Sequence, residues 1–408
     1  MKKTLLLSVV ASTMIMAGGD IAPVEPVVEA PVEVASWNFS GDAVAYMQTV
    51  DAQGNGDLFG GDSTSGGLGL SLRATNDDLF AGIGFGAEVS SIAAGHNNGF
   101  SNTQFGLQDG DALTQAYLTY GMDSISTSLK VGRQHLPKAL SPFAFTEGWQ
   151  MIKNSFDAAL VVNTSLPDTA AVYAYVTKAN RSVGDIDGFN EINDDGVHMV
   201  TLQNSSISNL TLTGTWYMAP DMTAALPNGG DANVLWGDAT YKAESFTIAV
   251  QGGQVDPDGL DSTSGFGAKI AGNLGGFGLA AAYSSVDDGA VPVHNLGTGV
   301  KTPLYTQSIL NQNTIKLDSD AFKLSATMKA LGGGFGLHYI YADLGAAALP
   351  SVFGQGVGGE GEYSEIDLTY KTKVGENTTL FAGYVWQSDD RQVDEDQNFL
   401  RFWARYNF

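Results

Sequence analysis

Two arginines interrupt the apolar closing stretch NFLRFWARYNF. Arg401 and Arg405 stand four residues apart, set among Leu400, Phe402, Ala404, Tyr406 and Phe408. Four residues are two full periods of a strand, so in an extended chain both guanidinium groups share one face and the apolar side chains share the other. Such a pair supplies fixed positive charge that can attract, hold or repel ions, but it cannot move a proton near neutrality. The same parity carried along other alternating stretches puts Arg73, Lys130, Lys242, Lys269, Lys323 and Lys371 on the polar face. Glu88, Asp238, His338, Glu365 and Asp367 join them there. For any one of these, cross-strand pairing is the plainer role; as a set they could filter charged solutes.

Other groups that could do chemistry lack the spacing for it. GDSTSG (61–66) brushes against hydrolase patterns, but the strand-to-helix elbow of a nucleophilic serine is missing. The glycines of GIGFGAE (82–88) and GGGFGLH (332–338) imitate phosphate loops, yet no helix follows either one. The five histidines, at 96, 135, 198, 294 and 338, show no metal-ligand spacing, and there is no cysteine. The run DIDGFNEINDDG (185–196) offers hard oxygen ligands for calcium in Asp185, Asp187, Asp194 and Asp195. An EF-hand needs Gly sixth and Glu twelfth; here Gly188 is fourth and Gly196 twelfth. A solvated acidic loop is the stronger reading, with calcium the one candidate cofactor. No enzyme is expected.

The elements that must carry these side chains are strands. Leu68, Leu70 and Leu72 alternate with Gly69, Ser71 and Arg73; Ile83, Phe85, Ala87 and Val89 alternate with glycines and Glu88. Similar period-2 runs recur to the end of the chain, bounded by Gly, Asn and Asp, which is an all-β signature. Short turns are expected near 75–78, 120–123, 165–167, 204–208, 243–245, 273–275, 331–334 and 372–377. Longer segments separate them: 51–63, 92–110, 135–145, 180–195, 219–231, 254–262, 286–318, 344–360 and 388–396. Alternating short turns and long loops is how transmembrane antiparallel β-barrels are strung. The connections imply 18 strands, with 16 possible if 135–156 conceals a break. A barrel of that width is too large for its own side chains to fill and leaves an aqueous bore. Aromatic residues near the turns (Trp37, Phe39, Tyr120, Phe246, Tyr406, Phe408) and toward the other strand ends (Trp216, Tyr283, Trp386) suit interfacial girdles.

Composition agrees with that class. A formal charge of −24 disfavours nucleic acid. No run of apolar residues is long enough for a spanning helix. MKKTLLLSVVASTMIMAGG reads as a secretory signal over 1–19, cleaved near 17–19, and 20–35 as a Pro/Glu-rich periplasmic lead-in before a barrel over 36–408. The acidic loops, among them VDPDGLD (255–261) and DDRQVDED (389–396), would concentrate cations at the entrance.

The last strand resembles the C-terminal signature of outer-membrane barrels: Phe408, with Tyr406, Ala404, Phe402 and Leu400 at every second position. The segment LKVGRQHLPKALSPFAFTEGWQM (129–151) and the lead-in AGGDIAPVEPVV resemble the major porins of Campylobacter and its relatives, distantly akin to the OprD-like porins. That resemblance implies a Gram-negative outer-membrane channel passing ions and small hydrophilic solutes by diffusion, and a homotrimer. It implies assembly machinery that reads Phe408, and a third loop near 135–155 that narrows the bore. His135, Lys138, Glu147 and Lys153 would then stand at the constriction. The acidic loops favour a weak cation preference. Two alternatives stay open: a substrate-selective channel for small carboxylates or amino acids, and a structural or adhesive surface barrel.

Overall fold

The computed structural model describes residues 37–51, 57–61, 63–94, 109–181, 185–226, 228–347, 359–392 and 396–408. The expected signal peptide, the lead-in and His96 lie outside them. The strands are β1 (Asn38–Asp51), β2 (Thr64–Phe80), β3 (Ile83–Ala94), β4 (Gly110–Met122), β5 (Thr127–Gln134), β6 (Phe156–Asn163) and β7 (Thr169–Arg181). They continue with β8 (Asp185–Glu191), β9 (Val197–Asn204), β10 (Leu210–Ala219), β11 (Ala232–Lys242), β12 (Phe246–Pro257) and β13 (Thr263–Leu274). The last six are β14 (Phe277–Val286), β15 (Ser319–Ala330), β16 (Gly333–Leu344), β17 (Gly361–Val374), β18 (Thr378–Asp389) and β19 (Asp396–Asn407).

Each barrel strand pairs antiparallel with its sequence neighbour, and β19 returns to β1 in the register Asp42↔Asn407 to Asp51↔Asn398. The ring therefore closes with no open edge, as a sheet in hydrocarbon requires. Eighteen strands form it, as expected; β8 is a short extra strand paired to the far end of β7, which itself pairs on with β9.

Alternation sets the two faces. Leu68, Leu72, Leu235, Ile270, Leu337 and Leu368 all point outward and are exposed, Leu235 at 64%. A fixed charge among them would cost about 2–4 kcal/mol at the bilayer midplane, which explains their uniform chemistry. Among the described residues no helix is long and apolar enough to cross a membrane; the crossing elements are strands.

The turns are short and near their expected places, with two shifts: β4 runs on to Met122, so the turn expected at 120–123 lies at 123–126. The larger shift is in the first turn, which lies at Ala81–Gly82, not at 75–78, because β2 runs on through TNDD with a register irregularity between Asn76 and Phe80. The Asp78 carboxylate accepts the Gly82 N–H at 2.8 Å, so these polar residues brace the turn from inside the strand. Ala81 (φ 53°) with Gly82 (φ 81°), and Leu331 (φ 53°) with Gly332 (φ 76°), put two consecutive residues in the left-handed region. That is the two-residue hairpin geometry whose twist matches antiparallel strands.

Inside the ring the composition changes with height. Near the turns the inward residues are charged or small and polar. Near the long loops they are apolar: Val176, Val197, Tyr217, Val234, Trp236, Val255 and Ala342 are all buried. What buries them is the third long loop, 135–155, and the seventh, 287–318, which contribute Leu136, Phe143, Val293, Leu304 and Ile315 to one apolar cluster. The wide water-filled middle expected from strand number alone is thus substantially filled in its loop half. The reason is hydrophobic: these loops carry too many apolar side chains to remain in solvent.

Candidate functional site

The third loop leaves β5, and Leu136 and Thr146 close its neck by a backbone hydrogen bond of 2.9 Å. On one side it meets β9, β10 and β11. Phe143 N–H donates to the Tyr217 hydroxyl at 3.0 Å, Thr201 donates to the Leu140 carbonyl at 2.8 Å, and the Phe143 ring lies edge-on to Trp236 at 5.3 Å. On the other side it meets β19. Arg401 donates to the Trp149 carbonyl at 2.9 Å, and Arg405 donates to the Met151 carbonyl at 2.9 Å. Strands β10 and β19 stand nine steps apart in either direction around the ring. The loop therefore spans the bore from wall to opposite wall.

The seventh loop lies against the wall formed by β11 to β17. Tyr305 hydrogen-bonds Asp238, and Ser284 meets Thr306 at 2.5 Å. Lys323 donates to the Gln307 carbonyl at 2.7 Å. The Glu365 carboxylate accepts the backbone N–H of Ile309 at 3.0 Å and of Leu310 at 3.1 Å, and Ser308 donates to Asp367. The two loops also meet each other: Leu296 N–H donates to the Phe143 carbonyl at 2.7 Å, and Lys138 donates to the Thr302 carbonyl at 2.9 Å.

The residues singled out from sequence fall into three groups. Arg401, Lys323, His338, Glu365 and Asp367 do face inward, but the loops and neighbouring side chains bury them; Arg401 is 1% exposed. Its guanidinium lies 4.1 Å from the Trp149 ring and 4.8 Å from Tyr46, and donates to Gln48 at 2.6 Å. His338 is joined to Ser325 at 2.9 Å. Arg401, Lys323, Glu365 and Asp367 seat the loops. A second group gathers beneath the two ends of the third loop. Arg73 is ion-paired with Glu88, Lys130 sits 3.7 Å from the Tyr117 ring centroid, and His135 and Lys153 are close by. Burial and the neighbouring Lys153 hold His135 down to about 3, with Glu88 opposing them. Burial also lowers Lys153, with Arg73 adding to the effect. The third group lines the turn half. Arg405 pairs with Asp42 at 2.6 Å, Lys371 faces Trp403 and Lys269 faces Tyr305 across their rings, and Lys242 is half-buried near its turn. Lys138 is exposed and Glu147 is buried where the loops meet.

Calcium finds no support. Among the described residues no group of three or more His, Asp or Glu could hold a metal ion. Asp187, Asp194 and Asp195 are exposed. Asp185 lies in β8, with its side chain outside the described residues.

Several residues that matter to this site carried no obvious signal: Asp42, Tyr46, Trp149, Asn295, Lys301 and Tyr305. One signal was available for the seventh loop. Between Asp288 and Asp318 it contains no acidic residue, whereas the preceding long loop, 254–262, carries three aspartates. A long loop with so few charges to hydrate is one that packs.

No protein-family model and no curated protein matches this sequence. The fold has clear neighbours. Pseudomonas aeruginosa OccK3 (OpdO) aligns over 91% of this chain and 95% of its own, with a TM-score of 0.68 and 13% identity. P. aeruginosa OccD3 (OpdP) aligns over 91% of both chains (TM-score 0.69, 13% identity). Acinetobacter baumannii OccAB1 aligns over 91% and 96% (TM-score 0.69, 11% identity). These are porins of the OprD family, so the closed 18-strand barrel seen here is the fold of that family.

Proposed function

We propose that this chain is a porin of a Gram-negative outer membrane, conducting ions and small hydrophilic solutes passively through a constricted bore. One observation carries the reading: a closed barrel, apolar outside, whose third loop crosses the lumen between opposite walls and narrows it. A purely structural barrel has no need of fixed charges along its lumen. Purified protein reconstituted in a planar bilayer should give discrete ohmic conductance steps; silence from well-folded, heat-modifiable barrel would refute the proposal.

In this reading residues 1–19 direct export, 20–35 form the lead-in, and the protein works without a cofactor. The acidic residues of the outer loops give it a weak cation preference, to be read as the reversal potential in asymmetric salt. A second reading, selectivity for small carboxylates or amino acids, is favoured by the cations of the turn half, Lys130, Lys242, Lys269, Lys371 and Arg405. Competition of such solutes against ion current separates the two. The homotrimer and the reading of Phe408 by assembly machinery rest on family resemblance. Mass measurement in detergent and assembly kinetics of a Phe408→Ala variant test them.

A further inference from the structure

Glu147 is the single carboxylate of the inward segment 135–155, and a channel reading would make it a selectivity charge. Its surroundings argue otherwise. The residue is 5% exposed. One oxygen, Oε1, accepts hydrogen bonds from Asn295 Nδ2 at 2.8 Å, from the Thr298 hydroxyl, and from the backbone N–H of Lys301 at 3.3 Å. All three donors belong to the seventh loop. Asn295 completes the junction, its Nδ2 donating to the Phe145 carbonyl at 2.7 Å and its Oδ1 accepting the Phe145 N–H at 3.2 Å. On its own side, Glu147 N–H donates to Asn154 Oδ1 at 2.5 Å. The carboxylate thus binds donors of a loop that begins some 140 residues later in the chain and is anchored to a different wall.

We propose that Glu147 is a positioning residue: it clasps the third and seventh loops into one partition across the bore, and its charge does not act on passing ions. The seventh loop is fixed to the β11–β17 wall through Asp238, Lys323 and Glu365. The third loop is fixed to β19 through Arg401 and Arg405. A clasp between them ties two independently anchored segments, so the free cross-section is set by both together. Charge-assisted hydrogen bonds to a buried carboxylate are among the stronger contacts available for this.

This rests on the channel reading only for its electrical readout. Glu147→Ala should raise conductance and open-state noise while leaving the reversal potential within a few millivolts of wild type. Glu147→Gln, which keeps an acceptor at the same place, should restore quiet, wild-type conductance. Asn295→Ala should resemble Glu147→Ala, and the double variant should be no worse than either. Trypsin cleavage after Lys138 or Lys153 should accelerate on the order of tenfold in Glu147→Ala and Asn295→Ala, as loss of a buried hydrogen-bonded set implies. Equal shifts of reversal potential in Glu147→Gln and Glu147→Ala, with conductance unchanged, would overturn the clasp; so would additive effects of Glu147→Ala and Asn295→Ala. If Glu147→Ala does not fold, Glu147→Gln and Asn295→Ala carry the same comparison. If the wild-type barrel is silent, the channel reading fails and proteolysis still decides the clasp.

Discussion

The two halves of the bore are built on opposite principles. In the loop half the wall presents Val176, Val197, Tyr217, Val234 and Trp236, and the inward loops cover them as a core covers a sheet. In the turn half the strands present Lys130, Lys242 and Lys371, which stay half-buried, while Asp238, Lys269 and Arg405 at its margin meet Tyr305 and Met151 of the inward loops. One half excludes water by packing and the other admits it by charge. A strand can serve both because its inward residues need only alternate with a continuous lipid-facing row; nothing obliges them to be alike along its length. The lesson is that barrel circumference sets an upper limit on the bore, while loop composition sets its actual width.

This contrast can be broken most severely from the loop side. Replacing residues 300–314 with a short Gly/Ser bridge removes the covering segment and should raise single-channel conductance severalfold, with the barrel still heat-modifiable on a gel. Arg401→Ala comes next. It deletes a buried guanidinium stacked on Trp149 and leaves the Trp149 carbonyl without that donor, at a cost of about 2–4 kcal/mol. A lower unfolding midpoint together with flickering conductance is the expected pair of readouts. Leu368→Arg tests the outer face on which both halves depend. A cation there should cost about 2–4 kcal/mol and slow insertion into vesicles, whereas Leu368→Phe should be neutral.

The turn half responds to charge. Lys269→Gln with Lys371→Gln should move the reversal potential several millivolts toward cations and weaken any block by small carboxylates, with little change in conductance. The smallest effect concerns His135. Its folded value, about 3, lies below the ordinary 6.5, so between those values the unfolded chain holds a proton that the folded chain does not. Stability contributed by the neutral ring is therefore complete above pH 6.5 and is lost as pH falls toward 3. His135→Gln should flatten that part of the stability profile, and conductance should show no step from this residue between pH 7 and 5.

Much of this architecture is written in the sequence. Period-2 alternation, the eight short turns and the nine long connections define 18 strands, because lipid on one side of a wall demands an apolar residue at every second position. Which charges face inward followed from the same parity. The TNDD stretch misled because polar residues inside a strand end look like a turn; only the pairing of Phe80 with Ile83 showed β2 running past them.

The sequence by itself determined the wall: strand number, the outer face, the inward direction of Arg73, Lys130, Lys323, Glu365 and Arg401. Only the tertiary structure decided what those residues do, because their partners lie far away in the chain. Arg401 finds Trp149, Glu365 finds Ile309, and Glu147 finds Asn295 across separations that no local pattern records. Alternation is written by the solvent next to each residue, and so it is legible locally; the seating of a loop depends on which distant surfaces happen to complement it, and that is settled only when the ring has closed.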